Sequence, residues 1–326
     1  MAKFELISRD TPLKPDDPVT VVRQQDLADR TLPQFRDLSE SADKYYADDD
    51  LLLVINMALH TGAPLLLTGE PGTGKTQAAE FIRRYFGIPL FKFFVKSTSM
   101  AQDLMYEFDA VGYLHWAQSD KKTLQGDALT QETEAIRENF LHQRALWQAY
   151  DHEGDCVVLI DEIDKAPRDF PNDLLHEFDQ HHFPHPFDPK NTIKPKSKRP
   201  PIIVITSNDE RRLPDAFLRR CIFHRIELTE PIVNAAIANM ANQNNSHFPQ
   251  LVPEVLEAAK ERFWKLRKLK PALEKKPSTA ELLTWLSILS ALNKNASDIS
   301  DCRWKDLPAH AALIKDRADI ERLDNM

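Results

Sequence analysis

The sequence predicts an α/β protein, a parallel sheet sandwiched by helices and followed by a small all-helical unit. Three observations carry that prediction. Apolar runs at residues 64–68, 90–95, 156–160 and 201–206 alternate with segments of helical spacing, the pattern of buried strands joined by crossover helices. The stretch Gly69, Glu70, Pro71, Gly72, Thr73, Gly74, Lys75, Thr76 fits GxxxxGK[ST] and lies between the first run and a helix. Beyond Pro231 the periodicity is purely helical, over 232–244, 252–268 and 278–293.

The glycine-rich stretch is a phosphate-binding loop with the flanks such a loop needs. Its glycines let successive backbone N–H groups turn inward towards phosphate oxygens. The helix that starts at Lys75 adds the positive end of its dipole. Lys75 can reach the β- and γ-phosphates, and the Thr76 hydroxyl can ligate Mg²⁺. Ala78, Phe81, Ile82, Tyr85 and Phe86 recur on one face of that helix, and Gly87 is placed to end it.

Upstream, residues 1–40 are polar and proline-spotted and read equally as an extended arm over the main domain, within reach of a neighbouring subunit, or as a loosely ordered tail. Residues 41–61 read as a helix capped by Asp48, Asp49 or Asp50, placed to wall an adenine ring or simply to pack in the core. After the strand at 90–95, residues 99–127 carry Tyr106, Phe108, Tyr113 and Trp116 and read as an inserted hairpin or broken helix. Residues 128–150 read as one long helix, 167–185 as a short helix and loop, and 190–199 as a basic, proline-broken loop. A helix near 214–220 and a last strand at 221–228 complete the core; 303–326 reads as a terminal helix. None of the eight glycines lies beyond Gly154, so later turns must use Pro, Asn and Asp. The domain boundaries that follow are an arm at 1–40, a nucleotide-binding core at 41–230, a helical lid at 231–300 and a tail at 301–326.

The apolar run at 156–160 ends in Asp161 and Glu162, where ligands gather in parallel sheets. Asp161 can hold Mg²⁺ as the acid partner of Thr76. Glu162 can face the γ-phosphate and orient or deprotonate a water. Taken alone, the pair also fits a solvated strand end. Asn208, at the end of the next buried strand, can hydrogen-bond the water or the γ-phosphate, or simply end the strand in a turn. Arg219 and Arg220 can project into a neighbouring subunit's site, or serve as surface ion-pair partners.

The set GEPGTGKT, VVLIDEIDKAP and VITSNDERRLPDAFLRRC, with helices after Pro231, resembles AAA+ ATPases of the MoxR family over residues 41–295. The resemblance implies an αβα core with a helical lid, ATP and Mg²⁺ as ligands, and a homo-oligomeric ring, usually hexameric. It implies Walker A at 69–76, Walker B at Asp161 and Glu162, sensor 1 at Asn208 and an arginine finger at Arg220, with Arg219 beside it. Insertions after the second strand and before the sensor strand, here 99–127 and 183–200, face the pore or a partner in that family. At the sensor 2 position the sequence reads Lys275, Lys276, Pro277, Ser278, with no arginine; Lys276 lacks arginine's planar fork. Family members commonly remodel protein partners, many of them von Willebrand A-type proteins, and some resemble parts of bacterial conflict systems.

Bulk properties narrow the alternatives. The net charge is −8 over 326 residues, against a nucleic-acid partner, although Lys190, Lys194, Lys196, Lys198 and Arg199 make one basic loop. Cys156, Cys221 and Cys302 have no metal-ligand spacing and suit a reducing cytosol. No signal-peptide core or membrane-length apolar run is present, so the expected location is cytoplasmic. The readings carried forward are an ATP-driven remodeller of a protein partner, a slow nucleotide-dependent switch or scaffold, and a nucleic-acid-acting ATPase.

Overall fold

The structure, a computed structural model, describes residues 45–119, 139–188, 190–241 and 251–325. The arm at 1–40, the end of the aromatic insertion and the first part of the segment at 128–150 lie outside them. The described residues divide into two compact units, one within 45–227 and the other within 228–325, each with its own core.

The first unit opens with α1 (Asp49–Thr61), capped by the Asp48 carboxylate, which accepts from the Leu51 N–H. Then come β1 (Leu65–Thr68), α2 (Lys75–Phe86), which ends at Gly87, and β2 (Leu90–Phe94). Within the described residues, the insertion after β2, expected as a hairpin or a broken helix, consists of α3 (Ala101–Met105), β3 (Tyr106–Phe108) and α4 (Ala110–Ser119), and β3 pairs antiparallel with β4 (Leu141–Gln143). The long helix expected over 128–150 is corrected within the described residues. Leu141 pairs with Phe108, so a strand interrupts the span and helix resumes at α5 (Ala145–Asp151). Pairing with a strand distant in sequence overrides the local apolar spacing.

β5 (Val157–Asp161) is buried along its whole length. α6 (Phe170–Asp173) and α7 (Leu175–Gln180) follow. The basic loop expected at 190–199 contains half of a small hairpin, β6 (Phe183–Pro184) against β7 (Thr192–Ile193). β8 (Ile202–Ser207), α8 (Asp215–Leu218) and β9 (Ile222–Arg225) finish the unit.

The sheet runs β2-β5-β8-β1-β9, with every pairing parallel. Thr68 aligns with Ser207 and Ile160 with Ile205, so the carboxyl ends of β1, β5 and β8 finish at one level. Leu66, Val158, Ile160 and Ile205 pack with Tyr150, Phe170, Phe183 and Phe217 in the core.

The second unit contains α9 (Glu230–Ala241), α10 (Pro253–Arg267), α11 (Thr279–Ala291), α12 (Ala296–Ser300) and α13 (Arg317–Asp324). Ser278 and Glu281 form the capping box expected of α11. The terminal helix expected over 303–326 is corrected to two short 3₁₀ turns, at Trp304–Asp306 and His310–Ala312, and then α13. This segment contributes Leu307, Leu313 and Leu323 to the same core as Phe263, Trp285 and Leu289. The Trp285 indole donates to the Pro308 carbonyl at 2.7 Å. Buried Asp319 accepts the N–H groups of Glu274 and Lys275.

Burial pushes the Cys156 thiol up to about 11, helped by Asp155, and the Cys221 thiol up to about 12. The folded chain therefore keeps both protonated at pH values where the unfolded chain ionises them. Stability from these groups is complete below the ordinary thiol value and is lost as pH rises towards 12. At pH 8 both should alkylate on the order of 100-fold more slowly in the native protein than in denaturant. Mass spectrometry of the two peptides over time measures this, and equal rates would contradict the burial.

Candidate functional site

The glycine loop lies between the end of β1 and the start of α2, at the carboxyl edge of the sheet. Its bend depends on two close approaches. A Cβ on Gly69 would stand 2.3 Å from the Ile226 carbonyl oxygen, and one on Gly74 would stand 3.0 Å from the Tyr45 ring. Gly74 also caps α2 with a φ of 91°, a left-handed conformation that side chains disfavour. Tyr45, absent from the sequence reading, packs against Phe81 with ring centroids 5.6 Å apart and so braces the loop.

Lys75 is buried, and its ammonium donates to the Gly69 and Glu70 carbonyls at 2.8 and 2.9 Å. Burial lowers its pKa, while the charges of Asp164, Asp161, Asp209 and Glu162 oppose that shift. Such an ammonium gains from any anion that enters the loop.

Across the sheet edge, one oxygen of Asp161 accepts two hydroxyls, from Thr76 at 2.9 Å and from Thr206 at 2.6 Å. Thr206 in turn accepts the Glu162 N–H at 2.8 Å. Glu162 sits at φ 60° and ψ 53°, a left-handed turn that sends the chain away from β5. One of its carboxylate oxygens accepts from the Asn208 amide at 3.2 Å, and the other pairs with Lys165. Asp164 is buried and accepts the N–H groups of Asn208 and Glu210, fastening the loop after β8. Asp209, also at positive φ, pairs with Arg225 at 3.2 Å.

The fold thus joins Thr76, Asp161, Glu162 and Asn208 through Thr206 into one hydrogen-bonded group, and the Lys75 ammonium feels the charges of Asp161 and Glu162 without bonding to them. Among the described residues no contact joins Arg219 or Arg220 to that group. Arg220 is held elsewhere, its Nε at 2.8 Å from both carboxylate oxygens of Asp179 and its Nη1 on the Ala216 carbonyl. Arg219 caps α8 and is exposed. Lys276 belongs to the other unit.

Sequence reasoning missed Thr206 and Asp164. Both stand within known motifs, one before Ser207 and Asn208, the other two residues after Glu162. For Thr206, a polar side chain at the buried end of a central strand was the available signal.

The profile of the ATPase family associated with various cellular activities (AAA) matches residues 65–230. The chain belongs to the AAA family. No curated protein matches the AAA chain. Among solved structures, a proposed ATPase from Cytophaga hutchinsonii is similar at 12% identity, over 94% of this chain and 88% of that one, with a TM-score of 0.40. Two RuvB variants from Thermotoga maritima are similar at 15% identity with TM-scores of 0.36 and 0.37, over 76% and 79% of this chain and 68% and 74% of theirs.

A metal in this AAA site would rely on few protein ligands. Among the described residues no group of three or more His, Cys, Asp or Glu side chains could hold one. Thr76 and Asp161 nonetheless present hard oxygen atoms 2.9 Å apart. That sparse set suits Mg²⁺, which takes one or two protein oxygens and fills its shell with water and phosphate.

Thr206→Val keeps the side-chain shape and deletes both hydroxyl bonds, leaving the buried carboxylate of Asp161 short of a partner. Urea unfolding should register a loss of about 1–3 kcal/mol, and Thr206→Ser should recover most of it. A valine variant as stable as the parent would show that the hydroxyl holds nothing in place.

Proposed function

We propose that this AAA protein is of MoxR type, that it hydrolyses ATP, and that it works as a homo-oligomeric ring, in the hexameric form usual for that family, to remodel or activate a protein partner. The single observation that supports hydrolysis best is the junction of Thr76, Asp161 and Thr206, with Glu162 and Asn208 fixed beside it. In this reading residues 41–230 are the catalytic core, 231–300 the lid, 301–326 a tail and 1–40 an arm.

ATP is the substrate, and Gly69, Glu70, Pro71, Gly72, Thr73, Gly74, Lys75 and Thr76 are its phosphate cradle. Lys75 exchanges the loop carbonyls it now holds for phosphate oxygens. Thr76 and Asp161 would hold Mg²⁺, which when bound would supply positive charge against that developing on the phosphates. Glu162 takes the proton of the attacking water, and Asn208 orients Glu162 or that water through its amide. Arg220, with Arg219 beside it, acts on the neighbouring subunit's site, and Asp179 holds its guanidinium meanwhile. The insertion after β2 meets the β6–β7 hairpin through Phe108 and Phe187, ring centroids 5.2 Å apart. Val111 and Leu114 give α4 an exposed apolar surface for a partner, of which a von Willebrand A-type domain is the candidate class. The expected location is cytoplasmic; among the described residues no helix is long and apolar enough to cross a membrane.

One observation favours the slow switch as a second reading. Both carboxylate oxygens of Glu162 are already engaged, by Asn208 and Lys165. The nucleic-acid reading loses ground, because Lys196 and Arg199 of the basic loop pair with Asp151 and Asp155.

Lys75→Ala should abolish binding of a fluorescent ATP analogue; unchanged titration would remove the loop from nucleotide binding. Glu162→Gln should still bind the analogue while phosphate release falls on the order of 10²-fold or more. Rapid turnover by that variant would take Glu162 out of the role of base. Rings mixed from Arg220→Ala and Glu162→Gln subunits should recover part of the turnover that each lacks alone. If mixing at every ratio leaves activity at the level of the separate variants, the arginine does not act across a subunit boundary.

A further inference from the structure

Glu162 would be a poor base as it stands. Its backbone is pinned in a left-handed turn by Thr206, one carboxylate oxygen accepts from Asn208, and the other pairs with the ammonium of Lys165 three residues on. With one oxygen on an amide and the other on an ammonium, both of its acceptor positions are taken and its orientation is fixed by those partners. A water must displace one of them to reach it. Lys165 lies on the 3₁₀ turn Ile163–Lys165 with its side chain 43% exposed, so it is free to swing.

The acids that face Lys165 are Glu162, Glu210 and Asp164. Asp164 is already committed to the N–H groups of Asn208 and Glu210. Glu210 is anchored beside the lysine by its own N–H on Asp164 at 3.0 Å. Its side chain is exposed and, among the described residues, makes no hydrogen bond or close ion pair. The loop after β8 thus offers the ammonium a second carboxylate.

We propose that Lys165 is a positioning residue that restrains Glu162 and frees it by transferring to Glu210. The inference rests on the reading of Glu162 as the base, and it adds a built-in brake on basal turnover. An exposed pair of this kind is a light restraint, suited to being overridden when a partner or neighbouring subunit moves the loop after β8.

The test is steady-state phosphate release by the full chain. Lys165→Ala should raise basal kcat roughly two- to fivefold, the range that an exposed ion pair can impose, with KM for ATP within about twofold. Lys165→Arg should keep the low basal rate. Glu210→Gln should lower it, and the double variant should match Lys165→Ala, because without the lysine there is nothing to transfer. Raising salt should speed the parent and leave Lys165→Ala flat, since salt screens an exposed pair. A lysine with a merely structural role would not produce that salt signature. If Glu162→Gln is inactive yet Lys165→Ala is unchanged or slower, the brake is wrong and the base stands. If Glu162→Gln turns over normally, the base reading fails and the brake fails with it.

Discussion

One carboxylate oxygen ties the site together. The Asp161 oxygen that accepts Thr76 and Thr206 is where the helix after the glycine loop and the strands β5 and β8 meet. The sheet puts it there. β5 lies beside β8 and β8 beside β1, all parallel and in register at their carboxyl ends. Thr76 and Asp161, 85 positions apart in the chain, therefore arrive at one point. Desolvation at the end of a fully buried strand makes each of these hydrogen bonds costly to leave unmade.

A second layer of hydrogen bonds holds the chain just after β5 and β8. Thr206 fixes the backbone of Glu162, and Asp164 fixes that of Asn208 and Glu210. The scarcity of glycine sharpens this demand. Glu162, His181, Asp209, Asn293 and Ala309 all adopt positive φ, in a half of the chain that contains no glycine after Gly154. Asn and Asp tolerate that region through local hydrogen bonds. Glu162 has less intrinsic tolerance, and the bond from its N–H to Thr206 is what holds it there. Strain of this kind gathers where a side chain must be aimed.

The places where sequence reasoning failed share a cause. Residues 141–143 have the apolar spacing of a helix, yet they pair with β3, more than thirty positions earlier. The segment at 303–326 was read as one helix, but its first half folds into short turns that carry Leu307 and Leu313 into the core. In both, tertiary partners outweighed the local pattern. The phosphate loop, the buried strands and the α11 capping box were legible because each depends on neighbours within a few residues.

By itself the sequence determined that a glycine loop must stand between a strand and a helix, and that two acids end a later buried strand. Those are local facts of backbone freedom, periodicity and burial. Only the tertiary structure decided that Thr206 bridges Asp161 and Glu162, that Lys165 and Asn208 take the two oxygens of Glu162, and that Asp179 rather than a site residue holds Arg220. Apart from the Lys165 pair, these contacts join residues about forty or more positions apart. Strand order, which no local pattern encodes, brings them within hydrogen-bond reach.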